Sequence, residues 1–230
     1  LNKVLRGRLV NNHYCGNSTN QVLDNYFMDD HSLLSLIYQD ITDQLMRRLI
    51  DDDYVLISPS ARNRSNLIGE EFGKKTSGFG WHTDSRFIGG LGVKPSLCYM
   101  SIVCIESFTK ENGCTHYVPK SHLFYERPRD REIDIPYAYL TADKGDLVIF
   151  DTALWHKVGD ASTISRWGVF NTYGPWFMKP YHYFVEMFNK GDSKEFSPVI
   201  RQLLHYDSTP PRDHNESMIT LRRVREFLKK

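Results

Sequence analysis

The sequence lacks an excess of charge of either sign, with 29 Lys and Arg against 28 Asp and Glu. Nucleic-acid binding draws on a basic surplus, so this balance argues against such a partner. Long apolar runs are also missing. No stretch reaches the roughly 20 residues that a membrane span needs, and the opening LNKVLRGRLVNNHYCGN has no apolar block of the secretory kind. The expectation is a cytoplasmic protein with a small-molecule substrate and no membrane partner. The absence of an initiating Met fits a trimmed start and leaves a removed leader open. Cysteine is scarce: positions 15, 98, 104 and 114 form no Cys-x-x-Cys pair, which reads as reduced thiols rather than a disulfide framework or a metal knuckle. Cys98 and Cys104 fall on one face of a strand-like run as small buried hydrophobes. Internal repeats and low-complexity segments are absent.

What is present falls into three zones of one domain: a helical part over about 1–52, a β core over about 53–178 and a helical part over about 179–230. DDHSLLSLIYQDITDQLMRRLI, residues 29–50, spaces Leu33, Leu34, Ile37, Ile41, Leu45 and Leu49 at helical intervals, with acids early and arginines late. That predicts one amphipathic helix with charges matched to its dipole. Short β-rich runs broken by turn residues follow, among them YVLIS, FGWHTDSRF, SLCYMSIVCIE, DLVIFD and RWGVFNTYG. Asn112-Gly113 and Lys144-Gly145 mark turns between antiparallel neighbours. Helical text returns in PYHYFVEMFNK and SPVIRQLLHYD, and the basic tail MITLRRVREFLKK reads as a solvated amphipathic helix. Residues 125–136, YERPRDREIDIP, have no period and read as a surface excursion that could cover a site. A mainly β chain with flanking helices fits a jelly-roll barrel.

In GFGWHTDSRF, His82 and Asp84 stand two residues apart, and an extended strand presents both on one side. Alone, such a pair is as well explained by a structural hydrogen bond. His156, after the strand of GDLVIFD, supplies a third ligand from an opposing strand. Two imidazoles and one carboxylate on one face leave open positions on a bound ion, which suits Fe(II) holding a bidentate co-substrate and then oxygen. Arg166 opens RWGVFNTYG, and a guanidinium inside a barrel needs an anion. The far carboxylate of a dicarboxylate chelating the iron would meet its fork.

At this point the chain resembles the phytanoyl-CoA dioxygenase family of Fe(II)- and 2-oxoglutarate-dependent oxygenases. The resemblance rests on His82-x-Asp84, His156 and Arg166 in order, on ENGCTHYVPKSHL, and on Gly145-Asp146 before the strand leading to the distal histidine. It covers roughly residues 62–212. It implies a double-stranded β-helix of jelly-roll, cupin-like form, iron held by His82, Asp84 and His156, and 2-oxoglutarate on that iron with its distal carboxylate on Arg166. O2 is then the second co-substrate and ascorbate a supporting reductant. Similar enzymes hold the co-substrate with a side chain on the strand after the first motif, for which spacing offers Tyr99 or Ser101. Two positions depart from the family: Lys120 where glycine is common, and Val158 where a polar residue is common. The implied reaction is hydroxylation of an unactivated C–H in a metabolite or natural-product intermediate, releasing succinate and CO2. Retention of Asp84 argues against halogenation, in which a small residue vacates that place for chloride; desaturation and ring chemistry use the same cofactors and stay open.

The remaining histidines read as structural: His122 in a turn, His116 at a surface or pocket rim, His182 and His205 in helical text. Trp81, Phe87, Trp155, Tyr173, Trp176 and Phe177 read chiefly as core, and Arg86 and Lys157 should alternate away from the metal. Two rival functions remain. One is a zinc hydrolase or cupin-like isomerase on the same ligands, which leaves Arg166 without a role; the other is an inactive ligand-binding barrel.

Overall fold

A computed structural model describes residues 15–17, 20–28, 30–65, 80–84, 96–124, 126–128, 134–188 and 192–207. The basic tail, Arg86, Phe87 and residues 125 and 129–133 of the 125–136 excursion lie outside the described residues.

Nine described strands form two antiparallel sheets. They are β1 (Cys15–Asn17), β2 (Asn20–Asp24), β3 (Val55–Arg64), β4 (Tyr99–Cys104), β5 (His116–Tyr117), β6 (Ala138–Tyr139), β7 (Leu147–Asp151), β8 (His156–Lys157) and β9 (Trp167–Gly174). Six form one sheet in the order β1-β2-β3-β9-β4-β7, and three form the other in the order β6-β5-β8. This is the mainly β, jelly-roll architecture expected, although the described strands make two sheets rather than a closed barrel. β1 and β2 fall in the region expected to be helical. The ten-residue β3 takes a proline because its register shifts between Leu56 and Ser58, and Pro59 follows that irregularity, just beyond the last pairing with β2 at Ser60.

Strand alternation divides the chemistry. From β9, Trp167, Val169 and Tyr173 enter the large core beneath the helices, with Leu23, Tyr26, Phe27, Leu56 and Met46. Phe170, on the opposite face, joins Met100, Ile102 and Cys104 of β4 against Phe108 and Cys114. One sheet face therefore packs on helices and the other lines the interior.

The single helix expected over 29–50 is two. A 3-10 helix spans His31–Ile37 and an α-helix spans Asp40–Leu49, with Tyr38 and Gln39 extended between them. The Gln39 side chain explains the break: its Nε2 donates to the carbonyls of Ser35 and Leu36 at 3.2 and 2.9 Å, closing off the first helix, and its Oε1 accepts from Thr42 Oγ1 at 3.0 Å. The phase slips at that point, so Thr42 and Met46 are buried while Ile41 and Leu49 are 54% and 41% exposed. Helical text after β9 yields the short helices Phe184–Met187 and Pro198–Leu203. Cys98, Cys104 and Cys114 are buried free thiols, as expected. Among the described residues, no helix is long and apolar enough to cross a membrane.

Candidate functional site

His82 and His156 meet through the backbone before their side chains are considered. The amide of each donates to the carbonyl of the other at 3.0 Å, an isolated antiparallel bridge. His156 is also paired with Tyr117 as the first residue of β8. The Asp84 amide donates to the carbonyl of Thr152 at 3.0 Å, tying the third residue to the turn between β7 and β8. Three backbone bonds thus fix where the three side chains start.

The side chains converge. His82 Nε2, Asp84 and His156 Nε2 contribute ligand-type atoms that all lie within 4.8 Å of one another. His156 Nε2 is 3.4 Å from Asp84 Oδ2, and His82 Nε2 is 3.9 Å from Asp84 Oδ1. Atoms bound at about 2.1 Å to one ion at right angles would lie about 3 Å apart, so the two imidazole–carboxylate pairs stand within an ångström of that spacing. Each ring is oriented by its other nitrogen. His82 Nδ1 stands 2.9 Å from the Gly80 carbonyl and His156 Nδ1 2.9 Å from the Leu154 carbonyl. A carbonyl only accepts, so each Nδ1 carries the hydrogen and directs Nε2 to the centre.

Electrostatics favour a cation there. Burial acts to raise the Asp84 carboxyl, but the charge and hydrogen bond of His156, then the charge of His82, outweigh it and hold it at about 2. Burial acts to lower the His156 imidazole, and Asp84 overcomes it so that the group is raised. His82 is lowered, by burial and then by His156.

Arg166 completes the constellation from the residue before β9. It is 4% exposed. Its backbone N–H donates to Asn63 Oδ1 at 3.0 Å, and its guanidinium lies 4.5 Å over the Phe108 ring. Nε and Nη1 are buried with no hydrogen-bond partner. Burial, with Arg64 and Arg62 adding repulsion, pulls this guanidinium down to about 10 even against the pull of Cys114 and Cys104. Arg166 and the three convergent residues line one cavity of about 90 Å³, walled by Met100, Ile102, Phe150, Val158 and Phe170. An interior cation with idle donors, across a small cavity from a carboxylate and two imidazoles, has the charge pattern to take a dianion that also reaches a metal.

Tyr99 and Ser101 do not join this cluster. Met100 and Ile102 line the cavity, and strand alternation turns Tyr99 and Ser101 to the opposite face, where Tyr99 packs on the large core. The same-face reading of Cys98 and Cys104 already carried the correct parity. Arg62 and Thr115, which also line the cavity, went unanticipated from sequence; the alternation of Arg62 and Arg64 in SARNR was the available signal. Val158 is a cavity wall, and Lys120 sits at φ 65°, a left-handed conformation that accounts for glycine being common at this position. His205 donates through Nε2 to the Leu56 carbonyl at 2.8 Å, as a packed histidine. His116 stacks on Tyr137 at 5.1 Å, away from the centre.

Comparison with known proteins adds independent findings. The family model for phytanoyl-CoA dioxygenase (PhyH) matches residues 12–167. "Dioxygenase af480" of Aspergillus fumigatus is 33% identical over 107 residues, 45% of this chain and 34% of that protein, so the chain spans about a third of that relative's length. Among solved structures, HygX from Streptomyces hygroscopicus with nickel, 2-oxoglutarate and hygromycin B bound superposes with a TM-score of 0.57 at 15% identity, over 79% of this chain and 81% of HygX. The non-heme alpha ketoglutarate dependent epimerase SnoN from nogalamycin biosynthesis superposes with a TM-score of 0.56 at 16% identity, over 77% and 74% of the two chains. These likenesses establish a shared fold.

Proposed function

The chain belongs to the phytanoyl-CoA dioxygenase (PhyH) family, and from that premise we propose that it is an Fe(II)- and 2-oxoglutarate-dependent dioxygenase that hydroxylates an unactivated C–H bond of a small molecule. The observation that carries the reading is the buried guanidinium of Arg166, whose Nε and Nη1 have no partner, on the same cavity as His82, Asp84 and His156. A zinc hydrolase or isomerase needs the three ligands but gives that guanidinium nothing to bind.

The residues fit the cofactors. His82, Asp84 and His156 would hold the iron from one side, with both Nδ1 atoms tethered to carbonyls and the opposite positions left for exchangeable ligands. Arg166 would take the distal carboxylate of 2-oxoglutarate, and Thr115 is a buried residue lining the same cavity. With both bound, the cofactors supply oxidative decarboxylation of 2-oxoglutarate to succinate and CO2, coupled to oxidation of a substrate C–H. The protein positions and excludes. Met100, Ile102, Phe150 and Phe170 keep the cavity apolar, which strengthens the Arg166 interaction. Asp84 would keep a carboxylate at the position that a halogenase vacates for chloride, which favours hydroxylation over halogenation. The fold relatives include an epimerase, so the fate of the substrate radical is the finer part of the proposal.

The test is anaerobic purification with Fe(II), then measurement of succinate released from 2-oxoglutarate on admitting O2, with ascorbate present, across a small-molecule library. Succinate release should vanish in His82→Ala and fall sharply in Arg166→Ala. Undiminished release in His82→Ala would remove the mechanism.

A further inference from the structure

A second and larger cavity, of about 390 Å³, adjoins the first. Its size lies near the lower end of the range for small-molecule pockets. Arg62, Asp84 and Met100 line both cavities, so the two meet at the carboxylate of the proposed metal ligands. The walls of the larger one are chiefly apolar, formed by Ile57 of β3, Cys98 and Met100 of the β4 segment, and Met178 beyond β9.

Charge narrows what could fill it. Arg62 and Lys179 are its two cations and Asp84 its single carboxylate, among the described residues. Arg62 donates through Nε to Ser60 Oγ at 2.9 Å and lies 5.2 Å over the Phe170 ring, which leaves its two terminal nitrogens directed elsewhere. Asp84 is engaged by the two imidazoles and, in the proposed reaction, by the metal, so it does not neutralise these cations. With Arg166 assigned to the co-substrate, the described residues of the larger cavity keep a positive excess against an apolar wall. The guanidinium fork of Arg62 can take one carboxylate through two parallel N–H bonds, and Lys179 adds an exposed cation at the cavity's edge.

We propose that this cavity binds the primary substrate and that the substrate is a compact, largely apolar monocarboxylate. Its carboxylate sits on Arg62 and Lys179, and its body lies on the Ile57–Met178 wall beside the metal. This rests on the oxygenase reading above.

The protein loaded with Zn(II) and 2-oxoglutarate is titrated by calorimetry with a panel of aliphatic and aromatic monocarboxylates, each beside its primary amide and its amine. Carboxylates should bind at least about ten-fold more tightly than their amides, the worth of one charge-assisted hydrogen bond, and amines more weakly still. Lys179→Glu should erase that preference and leave 2-oxoglutarate affinity unchanged. Arg62→Gln should weaken the carboxylates by about ten-fold. Thr172→Trp, or Ser58→Phe should the first not fold, fills the cavity and should abolish binding of the whole panel. Equal binding of amides or amines overturns the proposal, as does a protein that binds 2-oxoglutarate but no member of the panel. Arg62→Gln weakening 2-oxoglutarate rather than the carboxylates also overturns it. A wild-type protein that takes up neither metal nor 2-oxoglutarate sinks the oxygenase reading instead, and the panel on that protein still decides the carboxylate preference.

Discussion

Replacing Arg166 by methionine should make the ligand-free protein more stable while destroying its response to 2-oxoglutarate. The guanidinium is 4% exposed and is drawn down from its ordinary value to about 10, chiefly by burial. At about 1.4 kcal/mol per pH unit, keeping it charged inside costs on the order of 3 kcal/mol. Its position over Phe108 at 4.5 Å returns about 1 to 2 kcal/mol. Methionine has a similar reach and no charge to desolvate, so Arg166→Met should gain about 1 to 2 kcal/mol, or roughly 2 to 8 °C in Tm for a chain of this size. In the wild type, 2-oxoglutarate with Zn(II) at a hundred times its Kd should add about 2.7 kcal/mol; in Arg166→Met this increment should disappear. Scanning calorimetry of both proteins with and without ligand reads all four quantities. A variant that is less stable alone and still stabilised by 2-oxoglutarate would refute the assignment of Arg166 as a cation held in reserve for an anion.

Other tests bear on the frame around the site. Lys120→Gly should raise stability by about 1 kcal/mol in urea unfolding, because Lys120 holds a left-handed φ of 65° that costs a residue with a Cβ about that much; destabilisation would show that the lysine side chain compensates. Gly113→Ala should cost about 2 kcal/mol or more, since φ is 73° and the added Cβ would stand 2.1 Å from the Asp160 carbonyl oxygen; an unchanged midpoint would contradict the turn geometry. His205 is lowered by burial, only partly offset by its bond to the Leu56 carbonyl. The folded state therefore resists protonation there, so stability present above the ordinary imidazole range is lost as pH falls through that range toward the depressed folded value. His205→Gln should flatten the fall in Tm between about pH 7 and 5, and an identical slope in the variant would exclude this source.

The convergence of His82, Asp84, His156 and Arg166 was legible because residue chemistry constrained it: an imidazole pair, a carboxylate and an interior guanidinium account for one another only when together. The β core was legible from its short runs and turn glycines, and Gly113 and Gly145 do take positive φ. Helix continuity over 29–50 was not, because the break depends on what the Gln39 side chain caps, and apolar spacing carries no mark of it. Tyr99 and Ser101 were misplaced by a parity error, since which face of a strand looks inward is fixed by its partners: here β4 lies between β9 and β7. Arg62 escaped notice because a charged residue in a strand ordinarily reads as solvent-facing, and only the cavities on both sides of it give it a task.

The reciprocal amide bonds between His82 and His156 bear on the order of events during synthesis. The segment bearing His82 and Asp84 leaves the ribosome long before the one bearing His156, and until the later segment docks, the earlier pair has neither its third ligand nor the ladder that aligns it. A complete set of ligands therefore exists only in a chain that has already joined the two segments, and an ion seated there would hold shut a junction between parts of the polymer more than seventy residues apart.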